Sequence, residues 1–161
     1  MRARIASLLL LVGCGQAECH VTALLPTPEP CHGQATLLTD NREVRNAVEA
    51  FYATAPDTLS LADVTISVVD HIDYPSATPT SNVIGLCNFR TRHISILAEL
   101  LYAPGLLRQT VFHELGHCAA GVIGHPGKDG DLMNWWTSPI ITVEEADEQL
   151  ENFWMKRRNG Q

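Results

Sequence analysis

The sequence predicts an α+β domain, one small sheet backed by helices, and three observations carry that prediction. Runs rich in β-branched residues gather in the middle of the chain, between about residues 64 and 97. Runs with helical period flank them on both sides. The chain has 161 residues, 45% hydrophobic and 18% charged, which suits a single globular domain with a small core and not a disordered chain.

A first helix fits residues 40–54, with Thr39 or Asp40 to cap it and Ala47, Val48, Phe51 and Tyr52 along one face. VTISVVD, 64–70, is β-branched and bounded by turn residues, so it is a strand. HIDYPSATPTSN, 71–82, is a long loop. VIGLCNF, 83–89, and RHISIL, 92–97, are two more strands, joined tightly around Arg90 and Thr91 as a hairpin. Pro104 suits the first turn of a helix running to about Ala120, with Leu107, Val111, Leu115 and Cys118 on one face. Gly121 and Gly124 end that helix. Thr142-x-x-Glu145 is a capping box opening a last helix. Its core stripe is Val143, Ala146, Leu150, Phe153, Trp154 and the stem of Arg157. The basic run Lys156-Arg157-Arg158 complements the dipole at that helix's end. No internal repeat is visible.

The first residues stand outside this domain. MRARIASLLLLVGC places Arg2 and Arg4 before a short apolar run, too short to span a bilayer, and reads as an export signal over 1–13. Leu11-Val12-Gly13-Cys14 resembles the lipobox of bacterial lipoproteins, which implies that Cys14 becomes the lipidated first residue. Gly15 follows it where inner-membrane retention would favour Asp, so an outer-membrane anchor is expected. The alternative is a plain secretory signal with an unrelated cysteine. Residues 14–36 include PTPEP and read as a tether, with the folded domain over 37–161. An exported domain leaves Cys19, Cys31, Cys87 and Cys118 free to form disulfides. Cys19–Cys31 would close a Pro-rich loop, and Cys87–Cys118 would tie a strand to the long central helix; other pairings stay open.

That central helix carries the chemistry. His113-Glu114-x-x-His117 puts two imidazoles on one face, a turn apart, where both can reach one metal ion. Glu114 sits about 100° round the helix from His113, able to reach a water on the metal without ligating it. This is what metal-assisted hydrolysis requires: zinc acidifies a water and polarises a carbonyl, and a carboxylate takes the proton. A catalytic zinc has three protein ligands and a water. The third candidates are His125, Asp129, Asp131, Glu144, Glu145 and Cys87. His125 leads, because Gly121 and Gly124 allow the chain to turn back and imidazole matches the first two ligands.

With Asp131-Leu132-Met133-Asn134 following, the chain resembles the metzincin metallopeptidases, and HELGHC is close to the active-site helix of the matrixin-like members. The resemblance implies a zincin catalytic domain with a short mixed sheet, an active-site helix and a C-terminal helix. It implies one Zn2+ per chain on His113, His117 and His125, Glu114 as general base, and Met133 in a turn beneath the metal. A peptide or protein substrate would lie along strand 83–89 as the sheet edge, with Trp135 and Trp136 walling a pocket. The sequence departs from the family pattern, His-Glu-x-x-His-x-x-Gly-x-x-His. Here Gly121 falls four residues after His117, His125 falls eight after it, and Pro126 follows.

Two other readings stay open. A thermolysin-like zinc site would take Glu144 or Glu145 as third ligand, although the capping box already occupies Glu145. A lipoprotein could instead hold zinc structurally, or bind a partner without hydrolysis; Glu114 has no task in a closed site and favours catalysis. His71 with Asp70 and Asp73 reads as a polar loop rather than a second metal site, and His20, His32 and His93 have no partner pattern. A net charge of −7 and a pI near 5.4 exclude nucleic acid as a partner.

Overall fold

Among the described residues four strands form one mixed sheet in the order β1-β2-β4-β3: β1 (Thr36–Leu37), β2 (Thr65–Val69), β3 (Gly85–Asn88) and β4 (His93–Leu97). The computed structural model describes residues 35–74, 83–128, 130–134 and 140–160. β1 pairs with β2 and β2 with β4 in parallel, while β3 runs antiparallel to β4. The hairpin turn is built by Asn88, whose side-chain oxygen accepts from the N–H groups of Arg90 at 3.1 Å and Thr91 at 3.2 Å. Buried side chains alternate along β4, with Ile94 and Ile96 fully inside, so one face of the sheet is core. The architecture agrees with α+β.

Three helices cover that core: α1 (Arg42–Thr54), α2 (Pro104–Cys118) and α3 (Val143–Arg158), with a short 3-10 turn, Ala98–Tyr102, leading into α2. α2 is the hub. It packs on β3 and β4 and also meets α1 and α3. Twelve of its 15 residues are buried, so the helix has no solvent face of its own and its polar residues must be satisfied inside. Phe51 of α1, Phe112 of α2 and Trp154 of α3 join the helices, with Phe51 ring centroids 6.2 Å from Phe112 and 5.3 Å from Trp154. Truncating any of the three to Ala costs about 3–5 kcal/mol. Arg108 of α2 bonds Asp147 of α3 through two nitrogens, and Gln109 donates to Gln149 at 2.8 Å.

Several expectations change in detail. Asn41, not Thr39 or Asp40, caps α1, its side chain accepting from Glu43 and Val44 N–H at 2.9 and 3.1 Å. The buried face of α1 is Val44, Ala47, Val48 and Phe51; Tyr52 lies about 90° from the centre of that stripe and is exposed. Thr36, placed in the tether, is instead the first residue of β1, held by its N–H to Val64 carbonyl at 2.8 Å. Arg157 lies outside the core and is exposed. The capping box of Thr142 and Glu145 is present. Among the described residues no helix is long and apolar enough to cross a membrane. The export signal over 1–13, Cys14 with its lipidation, most of the tether, and the Cys19–Cys31 pair lie outside the described residues.

Candidate metal centre

α2 supplies two imidazoles because residues four apart on a helix share a face. The Nε2 atoms of His113 and His117 stand 3.0 Å apart. Their other ring nitrogens are committed to the backbone: His113 Nδ1 donates to the Leu132 carbonyl and His117 Nδ1 to the Val122 carbonyl, each at 2.8 Å. A carbonyl can only accept, so each Nδ1 holds the ring proton and each Nε2 presents a lone pair. Two lone pairs facing each other at this distance repel, and a cation between them turns that repulsion into ligation.

His125 completes the group. Its Nε2 lies 3.4 Å from that of His117, and its ring stacks on His113 with centroids 5.1 Å apart. Donor atoms of all three lie within 4.8 Å of one another. Imidazoles bound tetrahedrally to one zinc place their nitrogens about 3.3 Å apart, so the donor set fits a zinc ion. His113 and His117 are buried, and His125 is exposed, so one side of the group faces solvent. Burial, with the neighbouring His117 and His125, pushes the His113 pKa down to about 4 despite the Leu132 bond. Burial and then His117 also lower that of His125. Neutral imidazoles are the ligating form.

The route from His117 to His125 explains how a spacing longer than the metzincin pattern still closes. Gly121 has φ 70° and Gly124 φ 69°, both left-handed. The first turns the chain off the helix, so that Val122 N–H reaches back to the Gly116 carbonyl at 3.1 Å. The second returns His125 to the metal face. Both ring-orienting carbonyls, Val122 and Leu132, belong to this same loop.

Glu114 stands outside the donor group. It is buried, accepts a hydrogen bond from the Cys87 backbone, and has its pKa pushed up to about 8, chiefly by desolvation. Gly85 on β3 leaves it room, since a Cβ there would come 2.9 Å from Glu114 Oε1. Met133 is buried with its sulfur under α2; a Cβ on Gly116 would meet Met133 Sδ at 2.5 Å. Phe89 packs edge-on against His117, centroids 5.7 Å apart. The Cys87–Cys118 disulfide is present, with Cα atoms 5.7 Å apart, and ties β3 to the end of α2.

Among the described residues the other proposed ligands do not join the histidines. Cys87 is spent in the disulfide. The Glu145 side chain accepts from Thr142 N–H at 2.8 Å, and both Glu144 and Glu145 are exposed. Asp131 is held by Lys128 N–H and Lys156. Asp129, Trp135 and Trp136 lie outside the described residues. His71 pairs with Asp73 at 3.0 Å on the surface, and among the described residues neither they nor Asp70 enter a donor group. His93, given no partner from sequence, bridges Thr65 Oγ1 at 2.7 Å and Ser67 Oγ at 2.9 Å across the sheet. Sequence reasoning also missed the two orienting carbonyls and the close fit at Gly116. A glycine inside an otherwise strong helix was the visible signal for the latter. The carbonyls had none, since any residue carries one. The chain matches no family model, no curated protein and no solved structure.

Proposed function

We propose that the protein is a zinc-dependent endopeptidase, with His113, His117 and His125 as ligands and Glu114 as general base. The observation that carries this reading is the convergence of three imidazole donors whose first two rings are locked, Nδ1 outward and Nε2 inward, by backbone carbonyls. The solvent-facing side at His125 supports a hydrolytic rather than a closed structural centre. Zinc bound there would bring a water's pKa toward neutrality and polarise a carbonyl oxygen.

The remaining chemistry belongs to the chain. Glu114, buried beside the three histidines and outside their donor group, accepts the water's proton and returns it to the leaving nitrogen. The Cys87 backbone steadies its carboxylate. Leu97 N–H bonds the Ile84 carbonyl at 3.0 Å, so by strand alternation Gly85 and Cys87 turn their backbone groups away from β4. Cys87 N–H is given to Glu114, so an extended peptide would pair there through the Gly85 backbone and the Cys87 carbonyl. Met133 supports the helix from below at Gly116. The same reading keeps the metzincin resemblance, and Cys14 as the lipid anchor that holds the enzyme on the outer membrane of a bacterial cell envelope.

The direct test is Glu114→Gln. It should keep about one zinc per chain while hydrolysis of a broad peptide mixture falls by about 100-fold or more. Unchanged hydrolysis would remove Glu114 as the base. A zinc-loaded wild type inert toward the whole mixture would instead favour a binding module.

A further inference from the structure

The loop between α2 and α3 has three tasks at the metal centre. It carries His125, and its Val122 and Leu132 carbonyls orient the other two histidines. Such a loop must be held still, because a ligand that wanders loses affinity through the entropy of ordering it. Its own bonds hold it in part. Gly127 N–H donates to the Met133 carbonyl at 3.3 Å, and Asp131 N–H to the Lys128 carbonyl at 2.9 Å.

Two adjacent cations of α3 hold it on either side of His125. Arg157 Nη2 donates to the Ala120 carbonyl at 3.1 Å, where the chain leaves α2. Lys156 Nζ bonds Asp131 Oδ1, and Asp131 Oδ2 accepts Lys128 N–H at 3.0 Å. His125 lies between these two anchor points in sequence. The Arg157 guanidinium also lies over the Phe153 ring, 5.6 Å from its centroid, a cation–π contact that holds it in place. Complementing the α3 dipole asks only for positive charge near the helix end and no particular partner. These contacts are directed across the molecule to the ligand loop.

We propose that Lys156 and Arg157 are positioning residues of the metal centre, clamping the chain on either side of His125 and so setting metal affinity. The inference rests on the three-histidine reading above. The Lys156 and Asp131 side chains are 47% and 31% exposed, so their pair contributes little to global stability. Metal affinity and stability therefore respond differently, and that separates positioning from a merely structural role.

The experiment measures zinc affinity of the whole chain by competition with a chromophoric chelator. The variants are Lys156→Met with Arg157→Met, Asp131→Asn, and Lys156→Arg. The double variant should bind zinc about tenfold more weakly, as outer contacts to metal ligands typically do. Asp131→Asn should weaken it in the same direction, and Lys156→Arg should stay within about twofold of wild type. Urea midpoints of all metal-free forms should match wild type. Zinc affinity of the double variant within about threefold of wild type overturns the inference and leaves the metal centre standing. So does a loss matched by a fall in the metal-free midpoint, which assigns the clamp to folding alone. A wild type that binds no zinc overturns both.

Discussion

Glu114 and His113 are neighbours whose protonation is pushed in opposite senses by one cause, burial. Glu114 has a folded pKa of about 8 against 4.5 for the free group. It therefore contributes stability that is fully present below about 4.5 and lost as pH rises through 8. His113 has a folded value of about 4 against 6.5, so its contribution is present above 6.5 and lost as pH falls through 4. The two slopes oppose one another below 6.5, and above it Glu114 acts alone. In chelator, the wild-type urea midpoint should fall between about pH 6.5 and 8, and Glu114→Gln should flatten that slope. Equal slopes in both proteins would show that the carboxylate is not buried as described.

At the scale of elements, α2 depends on its fit as much as on its motif. A Cβ on Gly105 would run into the Ile141 carbonyl oxygen where the starts of α2 and α3 meet. Gly105→Ala gains about 1 kcal/mol of helix propensity, yet a backbone clash costs more, about 1–3 kcal/mol. A lowered melting temperature is expected; a raised one would mean the helix starts are not in contact. The elements legible in the sequence were those with local signals. A β-branched run bounded by turn residues gave β2, a tight connection at Arg90 and Thr91 gave the hairpin, Pro104 gave the start of α2, and the capping box gave that of α3. His113, Glu114 and His117 were legible because helical spacing alone puts them together. β1 was hidden, since two residues carry no period and its pairing with β2 is long-range. The contacts of Lys156 and Arg157 were hidden for the same reason: a charge run shows its sign but not its distant partner.

At the scale of the whole molecule, the described residues form a small domain with a disulfide beside the candidate metal centre. Cys87–Cys118 closes a loop with a sequence separation of 31. By chain entropy that stabilises the fold by about 3–4 kcal/mol. Reduction should lower the urea midpoint accordingly and loosen β3 from Glu114; a midpoint unmoved by reductant would mean the bond adds nothing. A metal bound only by the folded state adds its binding free energy to stability. Zinc should then raise the midpoint and a chelator reverse it. The decisive measurement is zinc per chain by elemental analysis, on the oxidised wild type and on His125→Ala. About one zinc in the wild type, lost or much weakened in the variant, is the expected result. Undiminished zinc in His125→Ala would move the third ligand elsewhere. No zinc in a folded wild type would reduce His113 and His117 to buried helix residues and contradict the enzyme reading outright.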